Sequence, residues 1–108
     1  MANSFKNYFL KNATTSASNV YVAGAGVQAT VIGMSIGNTT SAPVSANVTV
    51  VSGGTSYFML QGATIAPGGA LVPVGGDQKL VLEAGDYMQV QMSAATSADV
   101  IVSVLEIS

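Results

Sequence analysis

The sequence predicts an all-β chain: a single antiparallel β-sandwich or small jelly roll of about eight or nine short strands. Three observations point there. Apolar residues come in short runs with period two, turn signals recur roughly every 8–12 residues, and no stretch carries helical periodicity. A chain of 108 residues is one domain in length and forms one core.

Composition narrows the function. Only 7% of residues are charged, where ordinary soluble domains carry about 25%. The net charge is −2, so there is no basic field for nucleic acid, and no apolar run reaches the ~18 residues of a membrane helix. Cysteine and histidine are both absent, which removes thiolate chemistry, disulfides, and the commonest general base and metal ligand. With 49% apolar residues against so few charges, part of the surface is expected to be covered by partners. The opening Met1-Ala2-Asn3-Ser4 lacks a basic region followed by an apolar run, so synthesis in the cytoplasm is expected.

Taken in order, residues 1–11 read as an aromatic N-terminal arm or first strand, with residues 12–108 as the sandwich domain. The run SFKNYFLK, Ser4 to Lys11, holds Phe5, Tyr8 and Phe9; such a run must dock on its own core or reach a neighbour. Asn19 to Ala23 is a short strand stopped by Gly24-Ala25-Gly26. In Val27 to Asn38 the apolar phase flips near Gly33, which predicts a bulge or bend there. Val44, Ala46, Val48 and Val50 alternate with polar residues in a half-buried strand, and Gly53-Gly54 predicts a hairpin turn. Thr55 to Gln61 returns, with Tyr57 and Met59 on one face and Phe58 and Leu60 on the other. Gly62 to Gly69 reads as a loop plugged by Ile65. Ala70 to Val74 contains Pro73, which cannot donate to a ladder and so predicts an edge or a bulge.

Gly75 to Ser93, GGDQKLVLEAGDYMQVQMS, reads as a hairpin of two apolar segments facing each other across Glu83-Ala84-Gly85-Asp86. Met88, Val90 and Met92 are predicted to face in. After the loop Ala94 to Ala98, the last strand places Val100, Val102 and Val104 on one side and Ile101 and Leu105 on the other. A strand apolar on both faces is central or covered by a second subunit.

Chemistry is hard to find. Asp77, Glu83 and Asp86 flank turns and read as turn formers and solvated rims. No loop has the dense Asp/Asn spacing of a calcium site, and the glycine pairs are not followed by a phosphate-binding lysine or helix. Tyr21, Tyr57 and Tyr87 could stack sugars only if they met on one surface. No catalytic, cofactor-binding or metal-ligating residue is assigned, and the protein is read as non-enzymatic. Candidate interface residues are Phe5, Tyr8, Phe9 and Leu10 from the arm, with Phe58, Leu60, Ile101 and Leu105 from strands apolar on both faces.

The segments VIGMSIGNTTSAPVSANVTV (Val31 to Val50), GGALVPVGGDQKLVLEAGDYMQVQMSAATSADVIVSVLEI (Gly68 to Ile107) and the opening FKNYFLKNATTSASNVYVAGAG resemble small virion structural proteins of tailed bacteriophages, especially those of marine bacteria and cyanobacteria. GGDQKLVLEAGD, Gly75 to Asp86, is the most specific part. The resemblance implies a β-sandwich assembled in many copies into a virion, and no catalytic motif is carried over. It leaves the position in the virion open; the leading expectation is a capsid decoration, or cement, protein: a homo-oligomer, expected to be a trimer, bound to the major capsid protein or other virion proteins. A neck, tail or baseplate ring component is the second expectation. A jelly-roll module binding host glycans through the loops Gly62 to Gly69 and Ala94 to Ala98 is the third.

Overall fold

The computed structural model describes residues 3–74 and 79–107. Nine strands lie among them: β1 (Asn3–Ala13), β2 (Ser18–Val22), β3 (Gln28–Asn38), β4 (Val44–Ser52), β5 (Thr55–Ile65), β6 (Ala70–Val74), β7 (Leu80–Leu82), β8 (Tyr87–Met92) and β9 (Ala98–Ile107). They form two antiparallel sheets. The first runs β1-β9-β3-β6, with β7 also paired to β3, and the second runs β2-β8-β4-β5. Consecutive strands therefore mostly cross between sheets, the pairs β4–β5 and β6–β7 excepted, in the double Greek key of a jelly roll. Of the described residues, none forms a helix.

Alternation fixes which side chains meet between the sheets. Val31, Ile36, Val100, Val102 and Val104 of the first sheet face Val48, Met88 and Val90 of the second, all essentially inaccessible to water. Met34 and Met92 join this core and fill it as adaptable apolar side chains. The phase flip expected near Gly33 is a register shift between Val31 and Gly33 against β9. Gly53 and Gly54, at φ 59° and 81°, close the two-residue β4–β5 hairpin, which needs positive φ at both positions. Pro73 satisfies both of its expectations. Strand β6 lies at a sheet edge, and its register against β3 shifts between Leu71 and Val74.

Three expectations are corrected. The segments flanking Glu83-Ala84-Gly85-Asp86 do not pair with each other: β7 pairs β3 in the first sheet, while β8 pairs β2 and β4 in the second. The turn is an arch between sheets, because each flank has one buried face to place and finds it in a different ladder. It is held by Glu83 N–H to the Asp86 carboxylate at 3.0 Å and by Gly85 N–H to the Ala23 carbonyl at 2.9 Å. The GGDQ part of that stretch, residues 75–78, lies outside the described residues. Gly62 to Ile65 is strand rather than loop: β5 continues to Ile65, whose side chain is indeed a buried plug. Finally, β5 does not alternate cleanly. Register shifts around Val48 let Met59 and Leu60 both pack against the core, while Tyr57 and Phe58 stay exposed.

Candidate interaction surface

The outward face of the first sheet is where apolar side chains lie uncovered. Strand β1 pairs with β9 so that Phe5 lies beside Leu105, Asn7 beside Ser103 and Phe9 beside Ile101. On the far side of β9, Leu105 meets Thr30, Ser103 meets Gly33 and Ile101 meets Ser35 of β3. Thr30 in turn pairs with Val81 of β7. The result is two apolar rows, through Phe5 and Leu105 and through Phe9 and Ile101, separated by a low row of Asn7, Ser103 and Gly33. Phe5 is 77% exposed, Phe9 70% and Ile101 45%, values that water tolerates poorly for neighbours on one surface.

On β1 and β9, charge enters this face at its end. Lys11 Nζ lies 3.0 Å from the Asp99 carboxylate, which also accepts the Asn12 backbone N–H at 3.1 Å. The Asn12 amide, and then Lys11, hold the Asp99 carboxyl below the usual range. Both groups are well solvated, so the pair adds little stability; what it does is leave the rim neutral. A shallow apolar depression of about 180 Å³ lies beside it, lined by Phe9, Leu10, Lys11, Asp99, Val100 and Ile101.

The structure thus brings together four of the candidate interface residues, Phe5, Phe9, Ile101 and Leu105. Tyr8 and Leu10, of opposite parity on β1, turn inward and pack against the core. Phe58 is exposed on β5 in the second sheet, and Leu60 there is half-buried. The candidate glycan loops both reach one place, since Asn38 N–H donates to Gly69 O and Thr39 N–H to Ser97 O. Tyr21, however, is buried between the sheets and supplies no platform.

Sequence patterning missed a second arrangement, inside the sandwich. Glu106 of β9 accepts the hydroxyl of Tyr21 at 2.6 Å and that of Tyr8 at 3.1 Å, and pairs with Lys6 Nζ at 3.0 Å. The two tyrosine rings meet edge to face, centroids 4.8 Å apart. Tyr21 first, then Lys6, depress the Glu106 carboxyl below its ordinary value, while burial raises the Tyr21 phenol. This cluster ties β1, β2 and β9 together. Its groups are mutually satisfied, which makes it a structural clamp. Among the described residues no group of three or more His, Cys, Asp or Glu could hold a metal ion, and no helix is long and apolar enough to cross a membrane.

Neither a family model nor a curated protein matches the chain. A solved structure does. A chain from Bacillus endospore appendages, which form a novel family of disulfide-linked pili, superposes with a TM-score of 0.55 over 99% of this chain and 87% of its own, at 15% identity. The likeness is one of fold. It matches the two-sheet arrangement nearly end to end, and residue identities at the apolar face are not implied by it.

Proposed function

We propose that the chain is a non-enzymatic structural subunit of a tailed-phage virion, working in many copies as a decoration protein that braces the head. One observation carries this reading: the outward face of the first sheet combines exposed Phe5, Phe9 and Ile101 with no net charge. A face like that is suited to a permanent neighbour and offers nothing to a polyanion or an ionic substrate. Contacts of modest area add up when repeated around a shell, so each subunit needs only weak pairwise affinity. The partners in this reading are further copies of the chain and the shell protein beneath, and its place is the virion.

The likeness in fold to a chain of endospore pili favours a second reading, a repeating subunit of a fibre. Here the absence of cysteine matters: subunits of this chain would be joined by packing alone, without the disulfides that give those pili their description. Quantitative mass spectrometry of purified particles tests the first reading. Decoration requires on the order of hundreds of copies per head, whereas a ring at the neck or tail requires about a dozen, as closed symmetry dictates. Absence from particles, with filaments formed by the isolated protein, would replace the first reading by the second.

A further inference from the structure

Resting on that structural-subunit reading, we infer that the partner seated on the outward face of the first sheet is the same face of a second copy, related by a two-fold axis that runs along the strands above β9. The relief of the face carries the inference. On its β1 side stand the large side chains Phe5 and Phe9; on its β3 side, in the same rows or beside them, lie Thr30, Gly33, Ser35 and Gly37. Beyond β3 the surface rises again at Val72 and Val81, which are 63% and 57% exposed. The face is therefore a ridge on one side of β9 and a trough on the other.

Strand β9 lies between β1 and β3, so a two-fold axis over β9 places each copy's β1 above the other's β3. Phe9 and Ser35 both pair with Ile101 and so share a row. The axis lies along the strands and preserves that row, setting Phe9 over the partner copy's Ser35, between Ile101 on one wall and Val72 on the other. Each ridge fills the opposite trough, the self-complementarity an isologous contact requires. Strands in the two sheets would run in nearly the same direction, the aligned mode of sheet packing.

Charge agrees. Across β1, β9 and β3 the described rows carry no charge apart from the internally neutralised Lys11–Asp99 pair, and Lys79 and Glu83, of opposite sign, flank Val81 at the margin, so the centre of the contact strands no buried ion. Area agrees as well: about eight residues along four strands is roughly 27 by 19 Å, or about 500 Å² per copy. The total of about 1,000 Å² sits at the lower margin of specific interfaces. The pair should accordingly be reversible, as a subunit that must still be placed in a larger assembly needs.

Sedimentation velocity of the purified chain over a concentration series tests the inference. A reversible monomer–dimer equilibrium is expected, weakened at least about tenfold by Phe9→Ser, which removes an exposed ring and spares the core. Ser35→Phe should weaken it similarly by filling the trough, and Phe9→Ser combined with Ser35→Phe should restore it, because the knob has only moved to the other strand of the same row. Gly33→Leu is a second trough-filling variant: a Cβ there meets nothing within 4 Å in the monomer. Phe58→Ser, on the other sheet, should change nothing. A wild-type chain that stays monomeric, a trimer, or a double variant no better than either single one would overturn the inference. So would a monomer whose loading onto particles depends on Phe9, since another protein would then own the face. The copy number of the wild-type chain in particles is measured independently of all these outcomes, so the structural-subunit reading stands or falls separately.

Discussion

Glu106 shows how much one side chain can organise in a chain with so few charges. It collects two phenols and an ammonium from β1 and β2, and its carboxyl is held below the ordinary value by the Tyr21 hydroxyl first and Lys6 second. A carboxylate with a depressed folded-state pKa contributes stability that is present above its unfolded value and is lost as pH falls through the folded one. Thermal midpoints should therefore be flat near neutrality and fall in acid. In Glu106→Gln the acid limb should flatten and the plateau drop by about 1–2 kcal/mol, the scale of a lost charge-assisted hydrogen bond; an unchanged acid limb would assign that limb to other carboxylates. Asn38 is the uncharged counterpart. Its Nδ2 donates to Ala42 O at 2.9 Å and Ile65 O at 3.0 Å, and its Oδ1 accepts from Thr40 N–H and Oγ1. Asn38→Ala removes the amide that the buried Ile65 carbonyl accepts from, while Ala42 O keeps the Thr40 hydroxyl, and should cost about 1–3 kcal/mol in urea denaturation. A cost below about 0.5 kcal/mol would mean that water replaces those bonds.

At the scale of elements, the arch between β7 and β8 rests on Gly85, at φ 90°. A side chain there would find open space, so any penalty comes from the backbone alone. Gly85→Val should destabilise by about 1 kcal/mol or more, read as a shifted denaturation midpoint at constant slope; a neutral outcome would mean that the turn rearranges without loss. The sequence held most of the elements: the bulge at Gly33, the Gly53-Gly54 hairpin, the Pro73 edge and the inward Met88, Val90 and Met92 follow from periodicity and turn chemistry. It did not distinguish the arch from a hairpin, because KLVLE and DYMQVQ have the same alternation whether their amides bond to each other or to different sheets. The interaction surface was half legible. Phe5 and Phe9 are visible as misplaced aromatics, and parity alone would have turned Tyr8 and Leu10 inward. The Glu106 cluster was not legible, since Tyr8 and Tyr21 reach it across 98 and 85 residues of chain and no local pattern announces such a meeting.

Across the whole molecule, cohesion is apolar and its assembly should be too. With no cysteine, self-association should be indifferent to reductant. With a neutral contact face, it should change little between about 0.05 and 0.5 M sodium chloride, where exposed ion pairs are screened. Sulfate, which strengthens apolar burial, should tighten it. Light scattering across those conditions checks this, and marked dissociation in sodium chloride would point to charge pairs elsewhere on the surface.

The meeting of Tyr8 and Tyr21 on Glu106 has an optical consequence. The chain has four tyrosines and no tryptophan, so its near-ultraviolet emission comes from tyrosine alone, undimmed by transfer to an indole. A phenol hydrogen-bonded to a carboxylate emits weakly, and two of the four are so engaged in the native state. Separation of the sheets would brighten the protein, giving it an intrinsic gauge of whether its two halves are still joined.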